Sequence, residues 1–134
     1  MNTQGVVQQK DLNEISHQII GAAMKVHSAL GPGLLESAYE ACLVHEFRNA
    51  GLHVETQVVL PVEYDGMRID LGYRIDLVVE NSVLVELKAL ESVLPIHKAQ
   101  LLSYLRLGNK RLGLLINFHV LRLKEGITRI VNNY

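Results

Sequence analysis

The chain has 134 residues, 49% of them apolar, and a formal net charge of −1, which bounds it to one domain whose single core needs no disulfide or structural metal. No apolar run approaches the roughly 20 residues that cross a bilayer, and no basic-then-apolar secretory leader opens it. Cys42 is the lone cysteine, so an internal disulfide or CxxC zinc site is excluded, and a cytoplasmic protein is expected. A balanced net charge also argues against a strongly basic nucleic-acid binder.

Residues 1–10 are polar and are read as a disordered N-terminus, with one domain over 11–134. From Asp11 to Leu30, apolar residues (Leu12, Ile15, Ile19, Ala22, Ala23, Val26) recur at helical spacing, with Asp11 or Asn13 available as a cap. Gly31-Pro32-Gly33 breaks that helix. A second is expected over Leu34–Ala50, with Ala38, Cys42, Leu43 and Phe47 inward and Gly51 as its stop. The period then becomes two. Val54–Tyr64 reads as one or two extended segments, Asp65-Gly66 as a hairpin turn, Arg68–Val79 as a strand and Val83–Ala89 as the next. Pro95 opens a helix to Leu107, closed by Gly108. Leu112–Phe118 reads as a buried strand, and Val120–Leu123 with Thr128–Val131 as a terminal hairpin. The order α-α-β-β-β-α-β-β predicts an α/β (α+β) fold with helices on a central mixed sheet.

The strands on either side of Glu80-Asn81-Ser82 carry their own alignment. Ile75, Leu77 and Val79 alternate on one face, and so do Val83, Val85 and Leu87. Burying both sets together pairs Val79 with Val83, Leu77 with Val85 and Ile75 with Leu87, through a three-residue connection. That register sets Asp76 opposite Glu86, with Lys88 two residues on along the same face. A two-residue turn would send the acids to opposite faces. Neighbouring carboxylates repel, and a divalent cation allows both to stay ionised; a structural ion pair with Lys88 is the alternative. Oxygen ligands without His or Cys favour Mg²⁺, or Mn²⁺, over zinc. Charge is also uneven: residues 1–97 hold six Lys and Arg against thirteen Asp and Glu, residues 98–134 seven against one. This suits a site binding cations at its floor and phosphates at its rim, or ordinary solvated surface.

At these residues the chain resembles the PD-(D/E)XK nuclease superfamily, and more narrowly the GxxExxY protein family. The second motif stands as Gly33-Leu34-Leu35-Glu36-Ser37-Ala38-Tyr39. The likeness continues through Gly72–Leu77, Val85–Ala89, His97–Leu105 and Gly113–Phe118. It implies a restriction-endonuclease-like core, a four- to five-stranded mixed sheet flanked by helices, and metal-assisted attack of water on a phosphodiester. Asp76 and Glu86, with the Leu87 main-chain carbonyl, would bind the metal and Lys88 would be the catalytic lysine. Glu36 resembles a first-helix glutamate that joins such sites. Gln100 and Tyr104 match the QxxxY motif of RecB-type exonuclease domains, on one helical face. Ile75 stands where the superfamily motif has its proline.

Arg74 shares the Asp76 face and, like His97, is a candidate to bind phosphate or a site acid. Tyr39 would hold Glu36 or simply pack. Gly33 would supply a backbone conformation closed to other residues. His27 is expected as a core or capping histidine, and Cys42 as a packed thiol. The implied function is a Mg²⁺-dependent nuclease, with DNA the favoured substrate, acting in repair or defence. A nuclease-like binding or assembly module of weak or lost activity is the alternative. The expected partner is nucleic acid, with no membrane; a homodimer or partner protein fits either reading.

Overall fold

The computed structural model describes residues 11–133, and the expectation for residues 1–10 falls outside them. Helix α1 spans Leu12–Leu30, with the Asp11 carboxylate accepting the Asn13 N–H at 2.9 Å as its cap. Its buried stripe, Ile15, Ile19, Ala23 and Val26, repeats at helical spacing. Helix α2, Glu36–Asn49, buries Tyr39, Leu43 and Phe47, each four residues from the last. It ends in a Schellman motif: Gly51 N–H donates to Arg48 O and Leu52 N–H to Phe47 O, with Gly51 at φ +76 as expected.

Seven strands follow the two helices: β1 Val54–Val59, β2 Val62–Tyr64, β3 Met67–Ile69, β4 Arg74–Val79, β5 Val83–Lys88, and, beyond helix α3 (Pro95–Leu107), β6 Leu112–Asn117 and β7 Ile127–Val131. Five form one sheet in the order β1-β4-β5-β6-β7, mixed because only β5 and β6 are parallel. The chain between them carries α3, as a parallel crossover requires. The expected mixed sheet with flanking helices is thus present.

Two local expectations are corrected. Arg68–Val79 is two strands rather than one: the Asp70 carboxylate accepts Gly72 N–H at 2.9 Å, and the turn it makes frees β2 and β3 to form a separate hairpin. That hairpin turns at Asp65-Gly66, as read. The terminal hairpin is absent, because β7 pairs antiparallel with β6 and the chain before it makes a 3-10 turn, Leu123–Gly126. Helix α3 ends at Leu107 with Gly108 as its cap, as read, the Gly108 N–H donating to Tyr104 O at 2.9 Å.

Two apolar clusters sandwich the sheet. Leu77, Val79, Val83, Val85, Leu87, Leu114 and Ile116 pack against α1 and α2. Val78, Leu84 and Leu115 pack against Leu101, Tyr104 and Leu105 of α3. Because strand side chains alternate, the central strands read as continuous apolar runs. Their burial on both faces is the reason.

Candidate functional site

The β4–β5 register is the one that the alternating residues demand, Val79 with Val83 and Leu77 with Val85, across Glu80-Asn81-Ser82. Glu80 and Asn81 both take left-handed φ, and Ser82 N–H closes the turn on Val79 O. Beyond Leu77–Val85 the expected Ile75–Leu87 pair does not form. The strands part there, and carboxylates take up the hydrogen bonds that the ladder gives up. Asp76 N–H donates to Glu86 Oε1 at 3.2 Å, and Leu87 N–H donates to Asp76 Oδ2 at 2.8 Å.

The cause of the fork is visible in β1. Gln57, opposite Asp76, has φ +51, which interrupts the two-residue period of that strand. Past it, Val58 packs with the α3 cluster, and its partner Ile75 turns with it, away from the Leu77 face. The Gln57 carboxamide donates to Asp76 Oδ1 at 3.2 Å and to Glu40 Oε1 of α2 at 2.8 Å. Both oxygens of Asp76 are therefore held, one by a side chain of β1 and the other by the main chain of β5.

Glu86 is 7% exposed. Its carboxyl is pushed up to about 8, first by burial, then by the hydrogen bond and charge of Asp76; the Asp76 N–H and the Lys88 ammonium pull it back. Glu40 also titrates above the usual range, chiefly through burial; the Gln57 bond opposes the rise and the Asp76 charge adds to it. Tyr104 is raised by burial, then by the charge of Glu86, with Tyr73 and Asp76 contributing. Its ring lies 6.2 Å from that of Tyr73, which is 43% exposed beside Arg74. The electrostatics thus join Asp76, Glu86, Lys88, Glu40 and Tyr104 in one neighbourhood between α2 and α3.

Other candidates stand further out. Glu36 is exposed in the first turn of α2, one turn before Glu40. Gln100 is exposed on α3, and Arg74 is exposed at the start of β4. His97 caps α3: its Nδ1 accepts Leu94 N–H at 2.9 Å, which puts the proton of the neutral ring on Nε2. Tyr39 does not hold Glu36. Its hydroxyl donates to Gly31 O at 2.6 Å and accepts Leu34 N–H at 3.1 Å, and its ring stacks on Phe118 at 4.3 Å. Tyr39 thereby latches the loop in which Gly33 has φ +100. Of the basic residues of the last third, Lys110 reaches Asn81 at the far end of the β4–β5 hairpin, and Arg129 bonds Asn13 of α1. These two are not at the acids.

Glu40 and Gln57 were not singled out from the sequence. Glu40 had a signal, since it lies four residues from Glu36 on the same helical face. Gln57 had none, because only the β1–β4 pairing sets it against Asp76.

The donor chemistry fits a hard divalent cation. Among the described residues no group of three or more His, Cys, Asp or Glu side chains is disposed to hold a metal. Two carboxylates completed by a main-chain oxygen and water are, however, a set that Mg²⁺ accepts, because it keeps much of its hydration. The buried Glu86–Asp76 pair, forced to hold a proton when alone, is what such a cation would relieve. A cleft of about 340 Å³ lined by Glu55, Leu60, Arg68, Leu84 and Lys110 lies elsewhere and contains neither acid.

A mixed five-stranded sheet between helices, with an acid on one strand and Glu-x-Lys on the next, defines a nuclease-type domain. The family model of the PD-(D/E)XK nuclease superfamily matches residues 13–130, and the chain belongs to that superfamily. No curated protein and no solved structure matches it. Among the described residues no helix is long and apolar enough to cross a membrane.

Proposed function

We propose that this protein is a metal-dependent nuclease that hydrolyses phosphodiester bonds of nucleic acid, DNA foremost, in repair or defence. The observation that carries the reading is the fork itself, where buried Glu86 and doubly held Asp76 converge beside Lys88. Asp76, Glu86 and the Leu87 carbonyl would hold Mg²⁺ or Mn²⁺, with an acid of α2, Glu36 or Glu40, completing the site. Such an ion activates a water and offsets charge on the phosphate. Lys88 stands two residues on from Glu86, where it orients the attacking water and stabilises the charge that grows in the transition state. Arg74, Gln100 and His97 would bind phosphate, and Tyr104, whose hydroxyl feels the Glu86 charge, would bound the floor. The GxxExxY family likeness supports the same assignment, with Tyr39 supporting the loop before Glu36. Near-neutral charge favours recognition of ends or structure over sequence.

The test is cleavage of single-stranded, duplex and branched DNA and RNA with Mg²⁺ or Mn²⁺. Activity that falls roughly a hundredfold or more in Lys88→Ala, an effect of the size seen on losing a transition-state contact, supports the reading. Binding without cleavage by the unaltered protein across that panel would overturn it in favour of a binding module.

A further inference from the structure

We propose that Gln57 is a positioning residue of this site, tying Glu40 of α2 to Asp76 of β4; the inference rests on the nuclease reading above. Its backbone is the first observation. A left-handed φ of +51 inside a strand is strained for a residue other than Gly, Asn or Asp, and such outliers concentrate where a function retains them. The side chain is the second. Its Nε2 donates to two carboxylates from two different elements, at 2.8 and 3.2 Å. With Leu87 N–H on the other oxygen, the Asp76 carboxyl plane cannot rotate without breaking a bond at one end.

The chemistry of an amide suits this place. Its NH₂ group offers two donors and no charge, so it can sit between two acids without adding a third. A glutamate there would repel both. A shorter asparagine tolerates the same backbone but falls one methylene short of Glu40. Gln57 thus makes α2 a working part of the site, since displacement of Glu40 is felt at Asp76. A kink needed only to swing Val58 and Ile75 onto the α3 cluster would require the backbone conformation and not the amide, and this difference separates the roles.

The experiment uses the full chain with Gln57→Gly and Gln57→Asn, both compatible with positive φ. Mn²⁺ binding is followed by calorimetry without nucleic acid, and unfolding temperature is followed alongside. Expected is Mn²⁺ affinity weaker by about tenfold or more in both variants, the usual effect of losing a group that orients a ligand, with Gln57→Gly melting no lower than the parent. Unchanged affinity would overturn the proposal and leave the nuclease reading standing. A parent protein that binds no Mn²⁺ would instead sink the metal-dependent reading. In that case the Gln57 side-chain amide resonances decide: if Glu40→Ala shifts them the tie exists, and if it leaves them unmoved the proposal falls as well.

Discussion

Glu86 couples stability to pH. Its folded-state carboxyl sits near 8 against an ordinary value of 4.5, so between these values the folded protein keeps a proton that the unfolded chain has released. The contribution is fully present below about 4.5 and is lost as pH rises through about 8. Thermal melts of metal-free protein are therefore expected to fall from pH 5 to pH 8.5, and Glu86→Gln should flatten that slope. A melting temperature that rises over the range in the parent would contradict the assignment. Metal affinity should run the other way, rising with pH as the proton leaves. At this scale the alternation of Leu77 and Val79 with Val83 and Val85 was legible and set the register beside the turn. Ile75 was put on the wrong face, because the shift that carries it to the α3 cluster begins at Gln57 on another strand. The sequence was silent on Gln57, because a polar residue in an edge strand carries no hydropathy signal.

Helices and turns were read well wherever local chemistry decides them. Asp11, Gly51 and Pro95 mark their helix ends through capping, which needs no tertiary partner. The β3–β4 break and the missing terminal hairpin were misread because pairing partners, not local pattern, settle strand ends. Tyr39 belongs to this scale, since it is a latch between a loop and a helix rather than a ligand. Tyr39→Phe keeps the stack on Phe118 but orphans Gly31 O and Leu34 N–H; denaturant melts should show a loss of about 1–2 kcal/mol. Asn117, buried at the end of β6 opposite Lys88, ties down the exit of β5. Its amide accepts Leu90 N–H at 3.0 Å and donates to Leu90 O at 2.8 Å. Asn117→Ala should cost about 1–3 kcal/mol for the unpaired groups, and should lower cleavage further at temperatures well below the melt, because Lys88 is two residues from the freed turn.

The two apolar clusters share one sheet, so the molecule should unfold as a unit. Leu84→Ala on the α3 side and Leu114→Ala on the other are each expected to cost about 2–5 kcal/mol. In urea both should shift the midpoint without changing the slope; a second transition in either would show two independent halves. At the fork the acids that would do the chemistry also serve as rungs between β4 and β5. Disarming the protein and loosening it are therefore hard to separate at Asp76, whose replacement by alanine abandons Leu87 N–H and the Gln57 amide together. Lys88 lies past the last rung between those two strands, and no such bond depends on its side chain. An inert yet intact form, able to grip a substrate long enough to be isolated with it, is best sought at Lys88.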